Sequence, residues 1–126
     1  MGTCKIWLAF ETSIGGNRFR KVLDGYPCEI QGVTMVVHKV PDPDPDAKGK
    51  KPKWRVSDPF TGYRAGHLTG PDRKTIINKI RAYVKTLEEK EGKPFSSIME
   101  EKRKEYGNVM SLPERRPDEV QESMSA

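Results

Sequence analysis

Residues 54–74 read Trp-Arg-Val-Ser-Asp-Pro-Phe-Thr-Gly-Tyr-Arg-Ala-Gly-His-Leu-Thr-Gly-Pro-Asp-Arg-Lys, and a strongly periodic segment follows them. Proline and glycine stand where a turn requires them, so residues 54–58 and 63–68 are predicted to form a hairpin around Pro59-Phe60-Thr61-Gly62. With Asp58 opposite Tyr63, the period of two places Trp54, Val56, Tyr63, Ala65 and His67 on a core-like face. Arg55, Ser57, Arg64 and Gly66 fall on the other, which is basic and small. A helix start comes next: Thr69 is placed to accept from the early amides, Pro71 suits the first turn and Asp72 complements the dipole. Ile76, Ile80, Tyr83, Val84 and Leu87 then recur at i, i+4, i+7, i+8 and i+11, the stripe of a helix packed on a sheet. Arg73, Lys74, Lys79, Arg81 and Lys85 lie off that stripe.

Working outward, residues 4–10 form an apolar, aromatic run and are predicted as a strand. Residues 18–24 alternate less cleanly and fit either a short strand or a turn-like approach to Gly25-Tyr26-Pro27. Residues 28–40 are β-branched and continuous, with Gly32 expected to break or bulge the strand. Both faces of that strand are apolar, which predicts a central position covered on both sides. Residues 41–53 make a long exposed connection, extended in its Asp-Pro half and flexible in its Gly/Lys half. The spacing of Asp42, Asp44 and Asp46 imitates the start of a calcium loop, but the tight-turn glycine and closing Glu are missing, so no metal is predicted there. Lys48, Lys50, Lys51 and Lys53 either trail along a phosphate backbone or simply solvate the loop. After the long helix, Gly92 suits a C-cap, and Ser96 or Ser97 is placed to cap a second helix through Ile98, Met99 and Tyr106 that ends at Gly107. The expected class is therefore α+β, a small antiparallel sheet of three to four strands packed on one long amphipathic helix. It divides into a single domain over residues 1–92, an additional polar helix over 93–107 and a disordered tail over 108–126.

The chain's 126 residues suit one domain, and its 34% hydrophobic content falls below the ~45–50% usual for soluble domains. A small core follows. No apolar run approaches a membrane span and the first residues lack a secretory pattern, so a cytoplasmic protein is expected. The net charge is +5, and residues 54–87 carry seven Lys/Arg against two Asp/Glu, whereas residues 88–126 carry seven against ten. A basic head with an acidic rear favours polyanions as partners of the head. Phosphate-cradling loops, Cys-x-x-Cys, His-Glu-x-x-His and nucleophile elbows are all missing from the sequence, so no catalytic residue, cofactor or small-molecule substrate is predicted and the protein is read as non-enzymatic. Cys4, Cys28, His38 and His67 are zinc-ligand types, but their unrelated spacings favour structural roles and reduced, buried thiols.

The words Asp58-Pro59-Phe60-Thr61-Gly62, Gly66 and Gly70-Pro71-Asp72-Arg73-Lys74, with the long helix, resemble the N-terminal arm-type DNA-binding domain of phage tyrosine recombinases. The likeness covers residues 54–87. It implies a three-stranded sheet backed by one helix, with the sheet entering the major groove of duplex DNA. On that implication Arg55, Ser57 and Arg64 approach base edges, and Lys53, Arg73 and Lys74 serve phosphates. The chain has no recombinase catalytic region, so the resemblance implies an accessory or regulatory factor of a phage or mobile element. A competing expectation is a protein-interaction module that uses the charged second helix and tail to hold a protein partner.

Overall fold

A computed structural model describes residues 4–11, 18–40, 53–66 and 68–114. Strands β1 (Cys4–Glu11), β2 (Arg18–Ile30), β3 (Val33–Lys39) and β4 (Trp54–Ser57) form one antiparallel sheet in the order β1-β2-β3-β4, followed by helices α1 (Arg73–Glu91) and α2 (Phe95–Tyr106). The α+β class is thus as expected. Residues 18–24, ambiguous in sequence, belong to the long strand β2. Of the two expected outcomes Gly32 breaks the strand: Gln31 and Gly32 both take positive φ (48° and 78°) and make the two-residue turn joining β2 to β3.

β2 changes partners along its length. Its first half pairs with β1 up to Cys4↔Gly25, and its second half pairs with β3 from Tyr26↔Val37. Gly25 marks the switch because a Cβ there would sit 2.5 Å from Val36 Cγ1 and 3.1 Å from Ile6 Cδ1, so only glycine permits the approach. The β1–β2 half consequently closes over one face of β3, where Ile6, Leu8 and Val36 form a small buried cluster flanked by Leu23. On the opposite face, Ile30, Met35, Val37 and Val56 meet Ile76, Ile80 and Val84 of α1. The predicted two-sided burial of the central strand is realised by these two layers.

α1 begins three residues later than the Thr69 cap would place it. Asp72 is the N-cap and accepts from the Thr75 amide at 2.7 Å, which holds its carboxyl below the usual range. Tyr83, assigned to the stripe by spacing, is 40% exposed, whereas Ile76, Ile80 and Val84 are fully buried. Neither Ser96 nor Ser97 caps α2: its N-cap is Pro94, and Glu88 from the end of α1 accepts from the Phe95 amide at 2.7 Å. Phe95, Ile98 and Met99 are buried, so this helix is a wall of the core and not a polar appendage.

The expected tail needs correction over residues 108–114. Val109–Ser111 form a 3-10 turn, Val109 is 2% exposed, and its amide donates to the Phe60 carbonyl at 2.7 Å. Arg20 N donates to Pro113 O at 2.8 Å, and Arg20 and Glu114 bridge in parallel along the free edge of β2. A single buried valine and two main-chain hydrogen bonds dock this stretch despite its polar composition. Residues 41–52 and 115–126, on which the loop and remaining tail expectations fall, lie outside the described residues.

Candidate nucleic-acid interface

The hairpin turn forms as its residue types dictate. Asp58 N donates to Tyr63 O and Gly62 N to Asp58 O, both at 2.8 Å, while Asp58 Oδ1 accepts from the Phe60 amide at 3.1 Å and Oδ2 from the Thr61 hydroxyl at 3.1 Å. Arg103 of α2 then closes on the same carboxylate, with Nη2 2.8 Å from Oδ1 and Nε 3.2 Å from Oδ2. Gly62 O accepts from Ala9 N of β1 at 3.0 Å. Asp58, Thr61 and Gly62 are therefore engaged in joining β4, β1 and α2. The returning arm of the hairpin is short, with single bridges Ser57↔Arg64 and Trp54↔Gly70 in place of a full strand.

The expected open basic face is overturned for two of its members. The pairs Val36↔Ser57 and His38↔Arg55 put Ser57 and Arg55 on the sheet face that β1 and β2 cover, and they are 1% and 7% exposed. Alternation assigned them correctly to one face but could not say what lies over it. Ser57 Oγ is 2.7 Å from His38 Nε2, and His38 Nδ1 is 2.8 Å from the Lys39 carbonyl. A carbonyl only accepts, so Nδ1 carries the proton and Nε2 accepts from the serine hydroxyl. This hydroxyl–imidazole pair has the contact a nucleophile and base require, yet both side chains are sealed from any substrate, and the pair instead ties β3 to β4. Its residue types were visible in the sequence, but nothing local joined them.

The other sequence-predicted site residues separate into two groups. Arg64 is exposed beside Ser57, at the far end of β4. Lys53, half-buried, and Arg73 and Lys74, both exposed, gather toward the Trp54 end, where Gly70 pairs with Trp54 and α1 begins. Here sequence reasoning missed the participation of Tyr26 and Lys39. The Arg73 guanidinium carbon stacks 3.9 Å from the Tyr26 ring centroid and 6.0 Å from that of Trp54, and Lys39 Nζ lies 5.7 Å from Trp54. Tyr26 and Trp54 sit 6.2 Å apart, tilted by 52°, with their inner sides against the core. A cue existed in the pairing of Lys39 with Trp54, but it depends on strand register. The result is a cationic rim around two half-buried aromatic rings, with Arg73 and Lys39 each held near a π face.

Among the described residues no group of three or more His, Cys, Asp or Glu side chains could hold a metal ion. Cys4 and Cys28 are free and half-buried, and burial pushes the Cys28 thiol up to about 11, partly opposed by Arg81, which keeps it protonated and unreactive near neutrality. No described helix is long and apolar enough to cross a membrane. Compared with protein-family models, curated proteins and solved structures, the chain matches none.

Proposed function

We propose that this is a small non-enzymatic nucleic-acid-binding protein whose contacts centre on the rim formed by Lys39, Lys53, Arg73 and Lys74 around Tyr26 and Trp54. The observation that carries this reading is the stacking of Arg73 on Tyr26 beside Trp54, with Lys39 on the neighbouring strand. It fixes positive charge next to planar apolar surface, the pairing that nucleic acids offer in complement. The resemblance of residues 54–87 to arm-type domains supports DNA as the polymer and an accessory role in a mobile element. Its base-reading residues are reassigned, because Arg55 and Ser57 are covered. Arg64, at the far end of β4, supplies a separate phosphate contact.

The test is fluorescence anisotropy with short labelled DNA, single-stranded and duplex, between about 50 and about 200 mM salt. Affinity should fall linearly on a log–log plot, and Lys53→Glu and Lys74→Glu should each weaken binding and flatten the slope by about 1. Failure of both DNA forms and of a labelled single-stranded RNA to bind at the lowest salt rejects the reading. A second reading, a protein partner held along α2, is favoured by the exposure of Phe60, Tyr106 and Met110 and by an open groove lined by Phe60, Ser96, Glu100, Arg103 and Lys104. A copurifying protein that is lost on Tyr106→Ala, with DNA binding intact, would favour it.

A further inference from the structure

We infer that the ligand of this rim is a single-stranded nucleic acid, with an unpaired base stacked on the Arg73–Tyr26–Trp54 surface; this rests on the nucleic-acid reading above. A duplex offers a protein its phosphates and the edges of its bases, and reading those edges takes a helix or ribbon that can enter a groove. The ribbon that the sequence offered for this is closed, since Arg55 and Ser57 lie beneath the β1–β2 layer. The start of α1 is also poorly suited to a phosphate, because the Asp72 carboxylate already caps it through the Thr75 amide and keeps its negative charge.

What remains at the rim is planar surface. The Arg73 side chain is exposed, and its guanidinium carbon lies 3.9 Å over the Tyr26 ring. Guanidinium planes and aromatic rings are the platforms on which unstacked bases rest, and such stacking tolerates any base because each has a π face. Lys39, paired with Trp54 across the sheet, and Lys53, just before Trp54 in the chain, flank that ring, where they can follow the phosphates on either side of a stacked base. DNA and RNA single strands share this chemistry.

The experiment uses full-length protein carrying Trp7→Phe, so that Trp54 is the only indole. Its fluorescence is titrated with oligothymidylate, oligouridylate, a DNA duplex of equal length and heparin, a polyanion without bases. Both single strands should quench Trp54 and bind at least about tenfold more tightly than duplex. The relative strengths of the two arms say whether DNA or RNA is preferred. Arg73→Lys keeps the charge but removes the plane, and should lower single-strand affinity about tenfold while leaving heparin binding and the melting temperature unchanged. The inference is overturned if duplex binds as tightly as single strands, if heparin quenches equally, or if Arg73→Lys binds like the parent. Binding of duplex alone would leave the nucleic-acid reading standing and remove this one; binding of nothing removes both.

Discussion

His38 is fully buried, with both ring nitrogens engaged. Burial lowers its pKa from the ordinary 6.5, Arg55 reinforces the drop, and the Lys39 carbonyl works against it. As pH falls through about 6.5 the unfolded chain takes up a proton that the folded imidazole refuses until lower pH. Stability is therefore complete above 6.5 and declines below it, toward the depressed folded pKa. Urea unfolding from about pH 7.5 to about 5.5 should show that decline, and His38→Gln, although less stable at neutrality, should show a smaller one. Equal slopes in the two proteins would show that His38 is not the group responsible. In the sequence His38 is a lone histidine in an apolar run, where burial is legible but its serine partner is not.

At the scale of elements, the turn at residues 58–62 and the start of α1 differ in how much else depends on them. Gly62 has φ +76°, and a Cβ there would fall 2.6 Å from Ala9 N and 2.7 Å from Val109 Cγ2. Gly62→Ala therefore combines left-handed backbone strain with a clash against two other segments, and should cost about 3 kcal/mol or more. Asp72→Ala removes one cap and should cost about 1 kcal/mol. Urea denaturation of the two variants checks the ranking, and comparable losses would refute it. The stripe Ile76, Ile80 and Val84 is legible because a helix repeats its burial within a few residues. Gly62 is legible only as a turn glycine: the approach of β1 and of Val109 comes from distant parts of the chain. The covering of Arg55 escaped for the same reason.

For the whole molecule, the boundary of the folded unit lies later than composition indicates. Truncation after Tyr106 removes Val109 from its site and deletes the Phe60 and Arg20 main-chain hydrogen bonds. The expected loss is about 3–5 kcal/mol, from one buried valine and two hydrogen bonds. Truncation after Glu114 removes none of the described contacts and should change stability by less than about 0.5 kcal/mol. Thermal unfolding of the two truncated proteins separates these outcomes, and equal melting temperatures would contradict the docking of residues 108–114. A charged, proline-containing stretch conceals this dependence because one apolar residue suffices to anchor it.

The parallel bridge between Arg20 and Glu114 also orders events during synthesis. β1, β2 and β3 emerge from the ribosome early and can pair at once, but the outer edge of β2 at Arg20 must wait for residue 113 to supply its acceptor. Until then the nascent chain displays an unpaired strand edge, a template for pairing with a neighbouring chain on the same polysome, and residues 113–114 are the ones that withdraw it.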